Sequence, residues 1–96
     1  MSKGYIVCVY EQIKDENKIK DYALKAKEAV NIYDGKFLVR GGEKITTEGK
    51  SFVRTAVIEF SSFEKAKKFF YSSEYQAAHE ILKDVVIRHH QIIEGT

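Results

Sequence analysis

The sequence predicts an α+β domain, a four-stranded antiparallel sheet with its helices gathered on one face, and three observations predict it. Four runs rich in β-branched and aromatic residues lie at 5–10, 37–39, 52–60 and 85–93, the composition that a pleated surface selects. Apolar residues spaced by three and four fill the intervals after the first and third runs, which is the period of an amphipathic helix. Only a glycine-bearing stretch separates the second run from the third, so a hairpin and not a crossover joins those strands.

The first run, Tyr5, Ile6, Val7, Cys8, Val9 and Tyr10, is apolar on both alternating faces and belongs inside the sheet, covered on two sides. Asp15 is placed to cap a helix whose Ile19, Tyr22, Ala23, Ala26, Val30 and Tyr33 form one stripe. Lys20, Lys25, Lys27 and Glu28 are left for water, and Asp34 and Gly35 supply the stop. A short strand at 37–39 leads into a long connection at 41–50 with glycine at 41, 42 and 49, and 52–60 brings the chain back. Ser61 with Glu64 three residues on reads as a capping box, starting a helix directly off the strand that buries Phe63, Ala66 and Phe70. Ser73 with Gln76 repeats the signal for a second short helix carrying Tyr75, Ala78 and Leu82. The order strand, helix, strand, strand, helix pair, strand is the split βαββαβ pattern of the ferredoxin-like fold. It is expected as one domain over 1–96, without repeat, low-complexity tract or proline.

A chain of 96 residues buries only about 60 to 65% of its unfolded surface when it folds alone, so the core is thin. With 44% hydrophobic and 31% charged residues it lies well away from disordered compositions. Its 16 basic and 14 acidic side chains are interspersed, which leaves no cationic face for nucleic acid or an anionic membrane. Cys8 has no partner for an internal disulfide and fits a reducing compartment. No run reaches the roughly 18 apolar residues that span a bilayer, and the apolar stretch after Gly4 is too short for a secretion signal, so the expected location is the cytoplasm.

In such a fold both helices lie on one side of the sheet and the other side needs a cover. That side is apolar here, because Tyr5, Val7 and Val9 point one way while Ile6, Cys8 and Tyr10 point the other, and Val53 and Val57 oppose Phe52, Ala56, Ile58 and Phe60. At about 25 cal/mol per Å² of apolar area, leaving several hundred Å² wet forfeits several kcal/mol, comparable with the whole stability of a small domain. A second copy of the chain is the expected lid, with a monomer that tolerates a wet sheet as the alternative.

Three separated motifs also carry a resemblance. The strand with Phe37, Leu38, Val39, Arg40, Gly41 and Gly42, the strand at 57–60 running into Ser61, Ser62, Phe63, Glu64 and Ala66, and the helix start at 71–78, with the closing Ile93, Glu94 and Gly95, resemble a bacterial domain-of-unknown-function family of the dimeric α+β barrel superfamily. The resemblance covers nearly the whole chain. It implies a homodimer in which two four-stranded sheets face each other, with helices outside. The wider superfamily includes cofactor-independent monooxygenases, muconolactone isomerase and haem-degrading enzymes, whereas the family itself has no settled activity, so the resemblance carries a fold and not a reaction.

Candidate site residues come from the chain itself. Arg40 leaves a strand end beside the unencumbered N–H groups of Gly41 and Gly42, an arrangement suited to a carboxylate or enolate oxygen; an interface arginine paired to Glu43 or Glu59, with the glycines in a bulge, fits the same residues. Glu59 sits in an apolar strand, where its carboxyl needs a partner or a raised pKa, and the second would suit a general base. His79 follows Tyr75 by four residues, so both share a helix face and can line the gap between helices and sheet, unless the histidine is simply solvated. Tyr22 can offer its hydroxyl to the same space, although aromatics at helical spacing commonly fill a core. Arg88, His89 and His90 lie on the last strand, where neighbouring side chains point to opposite faces, so the two histidines do not converge on one metal and no metal site is expected. No nucleophile elbow, phosphate loop or dinucleotide fingerprint is present, and no cofactor is expected.

Two functions follow. In one, a cofactor-free enzyme holds a small acidic or carbonyl metabolite, with Arg40 on an oxyanion, Glu59 or His79 moving a proton, and Tyr22 and Tyr75 shaping the wall, in the manner of monooxygenase or isomerase chemistry. In the other, a dimeric binding or stress-related module holds an acidic metabolite at Arg40 without turnover. RNA binding, which the same topology also serves, fails on chemistry: Thr55 and Val57 stand where stacking aromatics are needed and Glu59 adds negative charge. The length of the 41–50 connection leaves open whether Arg40 shares a face with Glu59, as a charge pair, or with Arg54, as an anion site.

Overall fold

A computed structural model describes residues 2–96. The chain runs β1 (Gly4–Ile13), α1 (Glu16–Ile32), β2 (Lys36–Arg40), β3 (Arg54–Phe60), α2 (Phe63–Phe70), α3 (Ser73–Glu80) and β4 (Val86–Glu94). The strands form one antiparallel sheet in the order β2-β3-β1-β4, which puts the two most apolar strands in the centre, as the ferredoxin-like α+β fold requires. No helix of the described residues is long and apolar enough to cross a membrane.

The ends of the elements have local causes. Asp15 is extended, and its Oδ1 accepts the N–H groups of Asn17 and Lys18 at 3.0 and 3.2 Å, satisfying two of the orphan donors of α1. At the other end Asp34, with φ at 57°, takes the left-handed turn, and the Gly35 N–H donates back to the Val30 carbonyl at 2.9 Å. The two short helices are capped one residue away from the position that the capping-box spacing predicts, α2 one residue later and α3 one residue earlier. Ser62 and not Ser61 caps α2, accepting from Lys65 N at 3.0 Å, and Ser72 and not Ser73 caps α3, accepting from Tyr75 N at 3.1 Å. Within α2, Phe69 is fully buried and Phe70 only half-buried, where the sequence pattern expects Phe70 to be buried. The junction of β3 and α2 runs so close to β1 that a Cβ on Gly4 would lie 2.3 Å from the Ser62 carbonyl oxygen, which excludes any larger residue there.

Even-numbered residues of the central strands face the helices. They divide the layer into two clusters. One gathers Ile6, Ile58 and Phe60 with Ala26, Ala29 and Val30 of α1, Ala66 and Phe69 of α2, and Tyr75 and Ala78 of α3. The other gathers Cys8, Tyr10, Ile19, Leu82 and Val85. The outer face carries Tyr5, Val7, Val9 and Val57, all half-buried, beside the exposed Val39, Val53, Ile87 and Ile93. Its charges are paired: Lys3 with Glu59 at 3.1 Å, and Glu11 with Lys50 and with His89.

Candidate functional site

Across one row of the sheet, on the helix side, stand Arg88, Tyr10 and Arg54 on three adjacent strands, and the next row is His90, Cys8, Ala56 and Arg40. Arg40 belongs there because of one extra residue. Phe37 lies opposite Ile58 but Val39 lies opposite Val57, so the ladder slips at Leu38 and Arg40 meets Ala56. Without that bulge the period of two would turn Arg40 to the outer face, beside Thr55. The register thus places Arg40 with Arg54 and away from Glu59.

These residues enclose a cavity of about 40 Å³, walled by Ile6, Ile19, Ala23, Ala26, Ala56 and Ile58 and edged by Tyr10, Tyr22, Arg40, Arg54, Arg88 and His90. Its space suits on the order of three waters. Arg40 lies 4.6 Å over the Phe37 ring, and both residues border the cavity.

Arg88 is the centre of the polar wall. Its Nη1 donates to Tyr10 Oη at 3.0 Å and Tyr22 Oη at 3.3 Å, with Cys8 Sγ at 3.7 Å, and its Nη2 donates to Tyr75 Oη at 3.0 Å. Tyr22 Oη and Tyr75 Oη are themselves 2.7 Å apart. The guanidinium also sits 5.5 and 5.3 Å from the faces of Tyr10 and Tyr22. Burial opposes its charge, but the oxygens of Tyr22, Tyr75 and Tyr10 and the Cys8 sulfur outweigh burial and hold it cationic. Among the described residues, no ion pair involves Arg40, Arg54 or Arg88.

The surroundings titrate accordingly. Burial pushes the Tyr10 and Tyr75 hydroxyls up, against the pull of Arg88, so both stay protonated donors. Burial raises the Cys8 thiol, with Arg88 again opposing. His90 is pushed down to about 3 by burial and then by Arg88 and His79, which leaves it neutral.

The sequence-derived candidates separate into groups. Tyr22 and Tyr75 join the polar wall and Arg40 reaches the cavity edge. Gly41 and Gly42 adopt φ of 74° and 92°, the left-handed region that favours glycine, but they border a neighbouring surface groove with Glu43, Lys44, Val53 and Thr55. There the Gly41 N–H is already committed to the Thr55 carbonyl at 2.9 Å. His79 stands behind Tyr75, ring centroids 6.0 Å apart, its pKa lowered by burial and Arg88. Glu59 is on the opposite face, and of its two expected outcomes the structure shows the partner and not the raised pKa of a general base: its bond to Lys3 holds the carboxyl below the ordinary range, with Tyr5 Oη adding a bond at 3.3 Å. Sequence reasoning missed Arg88 and Tyr10 as members of the wall, and named Arg54 only as one of two alternative neighbours of Arg40. A signal existed, since Val86, Arg88, His90 and Ile92 alternate onto one strand face, and a cation on a buried face needs partners. No three His, Cys, Asp or Glu side chains stand together to hold a metal among the described residues.

Solved structures share this architecture at low identity. A protein of unknown function from Rhodopseudomonas palustris is 9% identical with a TM-score of 0.75, over 99% of this chain and 83% of that one. A candidate antibiotic biosynthesis monooxygenase from Caulobacter crescentus is 12% identical with a TM-score of 0.64, over 99% and 90%. A dimeric protein of unknown function with a ferredoxin-like fold from Bacteroides fragilis is 16% identical with a TM-score of 0.58, over 96% and 95%. No curated protein sequence matches the chain. The profile that does match covers residues 3–96 and is described as a domain of unknown function (DUF1330), and the chain belongs to that family.

Proposed function

We propose that the protein is a homodimeric small-molecule site that takes a compact acid or enolisable carbonyl compound between sheet and helices. One observation carries the reading: three guanidinium groups border or wall a single apolar cavity, and no carboxylate lines it. Fixed cations without a counter-ion are what a bound anion would complete. The apolar outer face supports the dimer, as does the dimeric state of the ferredoxin-like protein from Bacteroides fragilis. The buried free thiol of Cys8 fits a cytoplasmic setting.

In the catalytic form of this reading, Arg40 and Arg54 hold the acid while the phenols backed by Arg88 stabilise an enolate oxygen. The fold shared with the Caulobacter crescentus protein lends cofactor-free oxygen chemistry an analogy only. The placement of the proton carriers favours the second reading, a binding module without turnover. Glu59 faces away, His79 stands behind Tyr75, and His90, which does line the cavity, is held down to about 3 and is a feeble base at neutral pH.

Calorimetric titration of the purified dimer with short carboxylates and enolisable ketones, run beside oxygen-uptake and α-proton-exchange assays, tests both. Saturable binding that weakens about tenfold or more in Arg40→Ala with Arg54→Ala supports the site, and turnover decides between enzyme and module. Unchanged affinity in that double variant removes the arginines from the function. Sedimentation of Val57→Lys tests the interface: the dimer is expected to dissociate, and an intact dimer places the contact elsewhere.

A further inference from the structure

The hydrogen-bonding inventory of the polar wall specifies more than an anion. Arg88 donates to all three phenolic oxygens, so Tyr10, Tyr22 and Tyr75 each serve as acceptors and each still owns one O–H proton. Tyr22 and Tyr75 share one of those protons across their 2.7 Å contact. Tyr75 is 1% exposed and does not line the cavity, so its proton is best spent on Tyr22 Oη, which leaves the Tyr22 proton uncommitted at the cavity wall. Tyr10 has beside it only Cys8 Sγ, a weak acceptor. Two tyrosines that line the cavity therefore keep O–H protons without a strong acceptor, held in place by one part-buried cation.

The other charged end lies across the sheet. Arg88 and Arg54 flank Tyr10 on either side, so their Cα atoms are about 10 Å apart, two strand spacings. Arg40 stands diagonally from Arg54 at the same edge. Ile19, Ala23, Ala56 and Ile58, all apolar, line the same cavity.

We propose that the occupant has two oxygen acceptors joined by a short apolar spacer: a carboxylate at Arg40 and Arg54, and a carbonyl or enolate oxygen at the hydroxyls of Tyr10 and Tyr22. That is the class of short oxo acids. The proposal rests on the acid-site reading above and adds the second oxygen to it. Arg88 acts through the phenols, as a positioning residue, since its Nη atoms are already engaged by them. A ligand with an ammonium group at the far end would instead bring a second cation beside the Arg88 guanidinium and be disfavoured.

Matched probes test this on the wild-type protein: 4-oxopentanoate, pentanoate, which lacks only the oxo oxygen, and 4-aminopentanoate, which keeps the acid and puts an ammonium group in place of the oxo oxygen. Calorimetric titration is expected to show 4-oxopentanoate binding about tenfold more tightly than pentanoate, the discrimination typical of one or two hydrogen bonds in a dry site, with 4-aminopentanoate the weakest of the three. Tyr22→Phe, and independently Tyr10→Phe, are each expected to narrow the gap between the two acids, with near-ultraviolet circular dichroism confirming the fold. Equal affinity for the two acids, both weakened by Arg40→Ala, overturns the second acceptor while the acid site stands. A preference for the oxo acid that survives in both tyrosine variants also overturns it. Binding of neither acid overturns both readings.

Discussion

The two ends of the helix-facing layer use aromatic residues in opposite ways. Near α2, Phe60 and Phe69 lie with ring centroids 4.9 Å apart, Phe69 and Tyr75 4.7 Å apart, and Ala66 and Val30 close the gaps, so the rings serve as hydrocarbon. Near the start of α1, Tyr10 and Tyr22 turn their hydroxyls to a buried guanidinium beside an unfilled space. Tyr75 belongs to both, its ring in the stack and its oxygen on Arg88. The first end holds the chain folded. The second is polar where hydrocarbon would pack more cheaply, and that difference is what the proposed site rests on.

The comparison can be broken by mutation. Phe69→Ala should cost about 3–5 kcal/mol in urea unfolding, because a fully buried ring leaves a cavity its neighbours cannot close. Arg88→Met should cost less, since the relief of desolvating a part-buried cation offsets the loss of a donor to three phenolic oxygens, while the preference for an oxo acid over a plain acid is lost. Equal costs for the two variants would show that the arginine is structural cement and erase the distinction between the ends.

Acid should act on the polar end next. The folded chain holds His90 at about 3, against an unfolded value near 6.5, so between those values the unfolded chain binds a proton the folded chain refuses. Stability is therefore fully present above pH 6.5 and is lost as the pH falls towards 3, by on the order of a few kcal/mol. The lowered pKa of His79 acts in the same direction. Among the groups facing His90, Arg88 and His79 carry or acquire the charge it must oppose. His90→Phe should flatten the slope in unfolding titrations over this window, and an unchanged slope would mean that the imidazole is not held neutral.

Smaller effects sharpen the boundary between the ends at α3. Ser72→Ala removes both the cap on Tyr75 N and a buried bond from Ser72 Oγ to the Phe69 carbonyl at 2.6 Å, and should cost about 1–2 kcal/mol. Ser62→Ala should cost about 1 kcal/mol, and Ser61→Ala less than about 0.5, as measured by thermal unfolding. Equal losses at Ser61 and Ser62 would return the cap to the position that sequence spacing selects.

How much of this was legible divides along the same line. Strand alternation from Tyr5 to Tyr10, the Asp15 cap and the stripe of α1 are local signals of a few residues, and they carry the sheet and its helices. The caps of α2 and α3 each miss by one residue, in opposite directions, because adjacent serines at 61–62 and 72–73 give the spacing rule two equivalent candidates. The site needed two facts that no local pattern states. One is the bulge at Leu38, which no glycine announces and which alone decides the face of Arg40. The other is that Tyr10 and Arg88, far apart in the chain, are register partners, so an arginine readable as a strand-end cation is instead surrounded by phenols.

The slip at Leu38 also makes one edge strand tolerant of a shortening that elsewhere would be ruinous. Leu38 is itself the unpaired residue, so loss of its codon would merely straighten the ladder, with Val39 still opposite Val57 and Arg40 still opposite Ala56. Drawing Leu38 into regular pairing with no residue lost would do the reverse and carry the arginine next to Gly41 across to the other side. Whether this edge can seize an acid is therefore decided by how the strand pairs and not by its composition.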